Sequence, residues 1–304
     1  MTFLDRDIAR DISYAHAAQS RGGRAVIRAL ENATGRLSLI RRGAGYHDDV
    51  SNGADFWDVM VQRYGLSLEI MGGSLCNIPR DGPLVMVANH PYGILDGLMM
   101  GHILSVARQG DFRILAHRVF RKSEDLDRVI LPISFDETRE ALASNLETRK
   151  TALDYLGQGG AIGIFPGGTV STSARAFSRP LDPAWRSFTA KMISKSGAAV
   201  VPVYFEGANS RLFQVASHLH ANLRVALLIK EFKRRTDEPV KVVIGKAIPS
   251  HEIAARGRDP RAMMDFLRAS TYALSPEAHA SQDYGFEFEA KHKRARRDGG
   301  RHTG

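Results

Sequence analysis

Leu84-Val85-Met86-Val87-Ala88-Asn89-His90-Pro91-Tyr92-Gly93-Ile94-Leu95-Asp96-Gly97 decides how this chain is read. Its first five residues are an unbroken apolar run, the pattern of a strand buried on both faces of a sheet. An apolar pattern at helical spacing follows, so the polar segment between them is a strand-to-helix junction. In open α/β sheets ligands bind beyond the strand ends, at such junctions. This one carries an imidazole, His90, and a carboxylate, Asp96. The combination turns a hydroxyl into a nucleophile: the ring takes the proton, and the carboxylate fixes the tautomer and stabilises the imidazolium. By itself the pair also fits a structural histidine near a strand end.

Working outward, short apolar runs predict strands at 84–88, 112–116, 129–133, 161–165, 199–205 and 240–244, with helices near 97–108, 137–156, 182–196 and 210–231. Asp182-Pro183 reads as an N-cap with proline in the first turn. The alternation predicts an α/β fold with a largely parallel central sheet flanked by helices. Residues 1–70 read as a helical N-terminal appendage, 71–285 as the α/β domain, and 286–304 as a basic tail that lacks the apolar residues to order itself.

A second strand-to-turn segment is Ile162-Gly163-Ile164-Phe165-Pro166-Gly167-Gly168-Thr169-Val170-Ser171, and a third is Val200-Val201-Pro202-Val203-Tyr204-Phe205-Glu206-Gly207-Ala208-Asn209-Ser210. With His90 and Asp96, these resemble the ordered motifs of the glycerolipid and lysophospholipid acyltransferase superfamily: N-H-x-x-x-x-D, F-P-E-G-T-R-S and a V-P-V strand. The chain looks most like its bacterial "putative hemolysin" branch, which is similar to the acylating half of ornithine-lipid synthesis. The resemblance covers roughly residues 55 to 250. It implies direct transfer of a fatty acyl group from a thioester to the hydroxyl of a lysolipid, a lyso-aminolipid or a lysophospholipid. His90 and Asp96 would be the catalytic pair. Substrate would be bound by Asn89, Gly93, Arg118, Phe165, Pro166, Gly167, Gly168, Thr169, Ser171 and Arg175.

Two departures qualify the match. Five residues separate His90 from Asp96, where the superfamily has four. A bend at Pro91–Gly93 would absorb the extra one, since glycine tolerates unusual backbone angles. The motif's Glu and Arg fall on Gly167 and Val170, so the acceptor must be held by other groups. Ser171, Thr172 and Arg175 are candidates for head-group contacts, as are His117 and Arg118 after the second strand. Backbone N–H groups at Gly167-Gly168-Thr169 are candidate donors to a tetrahedral oxyanion. Asn89 is expected to brace the His loop.

Composition narrows the classes. The hydrophobic fraction of 43% and charged fraction of 25% are ordinary for a globular protein. The single cysteine, Cys76, excludes an intramolecular disulfide and a cysteine-based zinc cluster. No metal and no cofactor are expected, with acyl carrier protein or acyl-CoA as donor substrate. The N-terminus lacks a signal-peptide pattern, and no run approaches the ~18 apolar residues of a spanning helix. The expectation is a peripheral protein on the cytoplasmic face of the inner membrane.

A net charge of +9 favours anionic partners. No recognition motif supports nucleic acid, whereas an anionic membrane surface has two supports. Residues 21–42 place Val26, Ile27, Leu30, Leu37 and Ile40 among arginines, either as an interfacial helix or as a helix packed on the domain. The tail from Lys291 to Arg297 is either a membrane-attracted segment or a solvated one. A non-catalytic lipid-binding protein of the same fold stands as the alternative. A serine lipase is disfavoured, because no G-x-S-x-G turn is present.

Overall fold

The computed structural model describes residues 12–15, 18, 20–117, 123–134, 138–175, 177–277 and 283–287. Arg118 and the basic tail from 288 onward lie outside the described residues. In chain order the strands are β1 (Ser67–Gly72), β2 (Leu84–Ala88), β3 (Arg113–His117), β4 (Ile130–Ile133), β5 (Ala161–Ile164), β6 (Thr172–Ser173), β7 (Pro180–Leu181), β8 (Ala199–Phe205) and β9 (Pro239–Ile244). The helices are α1 (Arg21–Thr34), α2 (Arg36–Gly43), α3 (Tyr46–Ser51), α4 (Phe56–Arg63), α5 (Ile94–Arg108), α6 (Glu124–Val129), α7 (Arg139–Gly157), α8 (Ser187–Ser196), α9 (Arg211–Leu219), α10 (Ala221–Arg234), α11 (Ser250–Ala254) and α12 (Pro260–Tyr272).

Seven strands form one sheet in the order β1-β9-β8-β2-β5-β3-β4, and β6 pairs with β7 in a separate hairpin. All neighbouring pairs in the large sheet are parallel except β8 with β9. The central strand β2 is fully buried along its length, which is why its sequence is uniformly apolar. Its side chains alternate between two cores. Leu84 and Met86 join Trp57, Met99, Ile103 and Phe112 on the side of α4 and α5. Val85 and Val87 join Leu156, Met192 and Leu267 on the side of α7, α8 and α12.

The N-terminal helices share this packing. Leu39, Trp57 and Val61 belong to the first core, and Ile27 is buried against Ala226 of α10. Packing on the domain therefore accounts for Ile27, Leu39 and Ile40 of the amphipathic stretch, while Val26 and Leu37 remain about half exposed. Gly35, at φ 131°, separates α1 from α2.

Four expectations are corrected. Residues 67–70, assigned to the appendage, lie in β1, which pairs with β9 in register from Ser67↔Pro239. As an edge strand it has no fully buried residue, so it lacks the apolar run that marks the others. The helix expected over 210–231 is two, because His220 is extended at φ −157° and its ring caps Asn222 N–H. The helix expected from Asp182 starts at Ser187, and Asp182 is no N-cap. The tail boundary also shifts, since Phe286 N–H donates to Thr172 O beside the β6–β7 hairpin.

Candidate active site

The parallel strands β2, β5 and β3 point their C-terminal ends to one side, where the first two motifs meet. Beyond β2, Asn89 extends the ladder by side chain: its Nδ2 donates to Phe205 O at 2.8 Å, and its Oδ1 accepts from Phe205 N at 2.7 Å. This buried brace anchors the His loop on β8. Gly93, at φ 94°, then turns the chain into α5 and places Asp96 in the first helical turn. One Asp96 oxygen, Oδ2, accepts the backbone N–H groups of Tyr92 at 2.8 Å and Gly93 at 2.9 Å. The same oxygen lies 2.9 Å from His90 Nδ1. The bend therefore absorbs the extra residue between histidine and aspartate.

Asp96 is fully buried, and burial raises its pKa against the opposing effects of His90 and the two N–H groups. Its other oxygen, Oδ1, is buried with no hydrogen-bond partner among the described residues. The His90 ring stacks on Phe165, with centroids 4.2 Å apart at 22°. With Nδ1 committed to Asp96 and the side chain 18% exposed, Nε2 is the nitrogen left to meet a substrate.

The Gly-rich loop follows β5. Gly168, at φ 69°, donates its N–H to Phe165 O at 3.0 Å and closes the turn. Its amide is thereby removed from the expected oxyanion donors, and Gly167 and Thr169 are left. Ser171 N–H donates to His90 O at 2.8 Å, so the two motif loops are joined directly.

Three charged residues that the sequence reading did not single out for the site hold this loop. Asp182 is fully buried; its Oδ1 accepts from His90 N–H at 3.1 Å and Ser171 Oγ–H at 2.5 Å, and its Oδ2 from Trp185 Nε1–H at 2.9 Å. It thus ties the His loop, the Gly-rich loop and the approach to α8. From the other side, the buried Arg224 of α10 donates to Thr172 Oγ1, Ser217 Oγ, Thr169 Oγ1 and Val170 O. The Arg186 side chain lies over Gly168, and its backbone N–H donates to Pro166 O at 3.0 Å. Only the Asp182-Pro183 pair gave a sequence signal, and it pointed to a helix cap.

The remaining candidates are placed as follows. Phe165 stacks on His90, and Pro166, Gly167, Gly168 and Thr169 follow it in the loop that Ser171 N–H ties to His90 O. Ser171 and Thr172 are buried and bonded to Asp182 and Arg224, so neither presents a hydroxyl to a head group. Arg175 sits in the exposed turn between β6 and β7, closed by Ser178. His117 ends β3, and Asn209 is buried below Tyr92, to whose carbonyl it donates.

The family model described as Acyltransferase matches residues 54–281, three quarters of the chain, and the chain belongs to that family. Two curated relatives are each named lyso-glycine lipid O-acyltransferase. The one from Phocaeicola vulgatus is 26% identical over 73% of this chain and 78% of its own length. The one from Bacteroides thetaiotaomicron is 24% identical over 73% of this chain and 80% of its own. Among solved structures, the 1-acyl-sn-glycerophosphate (LPA) acyltransferase PlsC from Thermotoga maritima aligns with a TM-score of 0.44 and 14% identity, over 84% of this chain and 98% of that one.

Proposed function

We propose that this member of the acyltransferase family moves a fatty acyl group from an acyl thioester, carried by acyl carrier protein or coenzyme A, to the hydroxyl of a lysolipid with an amino-acid head group. The observation that carries the reading is His90 Nδ1 at 2.9 Å from the buried Asp96, with the ring facing the Gly-rich loop. The names of the two relatives support an aminolipid acceptor.

His90 Nε2 takes the proton of the acceptor hydroxyl as its oxygen attacks the thioester carbonyl. Asp96 holds the ring in the tautomer with hydrogen on Nδ1 and stabilises the imidazolium that forms. The tetrahedral oxyanion is met by the Gly167 and Thr169 N–H groups. Collapse breaks the C–S bond, and the imidazolium returns its proton to the departing sulfur. No acyl-enzyme is formed.

The substrate is reached at a lipid surface. No helix among the described residues is long and apolar enough to cross a membrane. On α9, Leu212, Val215 and Leu219 form an exposed stripe at helical spacing, and Val26 is exposed on α1; both helices pack on α10. The exposed Arg21, Arg24, Arg28 and Arg211 lie on the same two helices, so the face complements an anionic leaflet.

The test is incubation of purified protein with a labelled acyl thioester, a panel of lysolipids and anionic vesicles, beside His90→Ala. Label entering one diacyl lipid with wild type alone supports the reading. Binding to vesicles without transfer to any acceptor or to water sinks it and leaves a non-catalytic lipid-binding protein.

A further inference from the structure

The chain leaves the site through a hairpin and returns straight to it. Ser171 and Asp182 are bonded to each other and both to the His90 backbone, and residues 172–181 between them form β6, a turn and β7. Ser178 closes the turn twice: its N–H donates to Arg175 O at 3.0 Å, and its Oγ accepts from Arg175 N–H at 3.0 Å. Phe177 sits on this turn and is 84% exposed, more than any other large apolar residue among those described. Arg175 is exposed beside it, and its guanidinium makes no ion pair or hydrogen bond among the described residues.

A lone exposed apolar side chain is ordinary, but this one has company. The hairpin is fastened to α9, where Gln214 Oε1 accepts from Ser173 N–H at 3.0 Å and His218 Nε2 donates to Ser173 O at 2.9 Å. Leu219 of α9 is 71% exposed, second only to Phe177, so the two most exposed apolar side chains among the described residues stand on adjoining elements. Cations frame them. Arg211 on α9 is exposed, and Arg179 is held only by a solvent-facing pair with Glu277 at 2.7 Å, of the kind that contributes little. Phe286 N–H donates to Thr172 O, so the basic block from Lys291 to Arg297 begins five residues from the hairpin's foot.

We propose that the β6–β7 hairpin is a finger that docks on an anionic lipid bilayer, with Phe177 entering the leaflet and Arg175 meeting lipid phosphates. This deepens the lipid-surface reading and rests on it. A turn already fixed by two bonds loses little freedom on docking. A convex tip bearing one ring and flanking cations suits a leaflet, whose headgroups part around it, better than an acidic protein, which would need a matching pocket. Six residues lead from Ser171 to Phe177, so at about 3.3 Å per residue the tip lies within roughly 20 Å of the clamp on His90. Docking there holds the His loop over the leaflet that supplies the acceptor.

The experiment measures sedimentation of the full-length protein with vesicles of equimolar phosphatidylglycerol and phosphatidylcholine. Phe177→Ser should weaken partitioning by about 10- to 100-fold. Arg175→Gln should weaken it by about 2- to 5-fold, and only at low salt. Leu146→Ser is the control: this exposed leucine lies on α7, which packs on the second core, whereas α10 beneath α9 packs on the first, and its variant should sediment as wild type does. In transfer assays, Phe177→Ser should raise the apparent KM for an acceptor embedded in vesicles and leave a short-chain acceptor in free solution unaffected. Wild type that ignores the vesicles, Phe177→Ser that binds them as wild type does, or an equal loss with Leu146→Ser overturns the finger. So does a Phe177→Ser variant that keeps vesicle binding but raises the KM for acyl carrier protein, since the occupant is then a protein. If no protein transfers to any acceptor, the acyl-transfer reading fails, while the sedimentation series still decides the finger.

Discussion

The His loop and the Gly-rich loop lie side by side at the strand ends, yet their key geometry is set in different ways. The His loop is braced from outside by Asn89 on Phe205 and by Asp182, but its histidine–aspartate geometry is set locally: Asp96 collects its ligands from Tyr92, Gly93 and His90, all within six residues. The Gly-rich loop has few internal bonds and is held from outside, by Asp182 on one side and Arg224 on the other. A local constellation leaves a spacing in the sequence. A loop pinned by distant charges leaves only its glycines. Chemistry is thus written in one loop and geometry in the other, and substitutions should separate them.

The largest expected effect is His90→Ala, a loss of about 10³- to 10⁴-fold in turnover with the fold intact, read by transfer assay and circular dichroism. Retained turnover would remove the imidazole from the reaction. Next is Asp96→Asn. The amide oxygen can take the place of Oδ2, which meets Tyr92, Gly93 and His90 Nδ1 alike, so what is lost is the negative charge that stabilises the imidazolium, for a loss of about 10²- to 10³-fold. Stability at neutral pH should hold or rise, because a buried charge has gone. The pH dependence follows from the sign of the shift. With its pKa raised by burial, folded Asp96 keeps a proton that the unfolded chain has released. Wild-type stability therefore falls as pH rises from the ordinary carboxylate range through the raised value, and Asp96→Asn flattens that slope. A mutant that is both inactive and less stable would contradict the local picture.

Asp182→Asn sits on the other side of the comparison. Its amide cannot accept from Trp185 while serving His90 and Ser171, so stability falls by about 1–3 kcal/mol and turnover falls roughly tenfold with it. Arg224→Met removes the donor to Thr169 Oγ1, Thr172 Oγ1, Ser217 Oγ and Val170 O, while Thr172 keeps its bond to Val170 O and Ser217 its bond to Phe213 O, at a cost of about 1–3 kcal/mol in thermal or denaturant unfolding. Its turnover should fall less than that of Asp182→Asn, because those four bonds hold the Gly-rich loop and α9, whereas Asp182 binds the His90 amide directly. Smallest is Leu219→Ser on the exposed stripe of α9, within about 0.5 kcal/mol in stability. Its effect should appear only as weaker sedimentation with anionic vesicles.

The same contrast explains what the sequence made legible. The buried strands declared themselves because β2, β5 and β8 are covered on both faces and must be apolar throughout. The edge strand β1, half in solvent, gave no such run. His90 and Asp96 were legible because the turn between them is short and glycine-bent. Ser171 and Thr172 were misread as head-group contacts, since hydroxyls in a loop look alike whether they face a ligand or a buried charge. Asp182 was misread for a related reason. Asp-Pro is a good helix start by local rules, but the carboxylate is drawn 92 residues back in sequence to the His90 amide. No local pattern carries that distance.

The strand order also governs how the chain is made. β2 is synthesised first among the strands that frame the site, but its neighbours in the sheet are β5 and β8. One of its edges stays bare until Ile164 has left the ribosome and the other until Val203 has, and the face of Val85 and Val87 waits for α7, α8 and α12. A nascent chain of this kind is slow to close and prone to pair with other chains through the open edges. A chain truncated after Ile164 would carry His90 and the strands β2 and β5, and it should aggregate rather than fold.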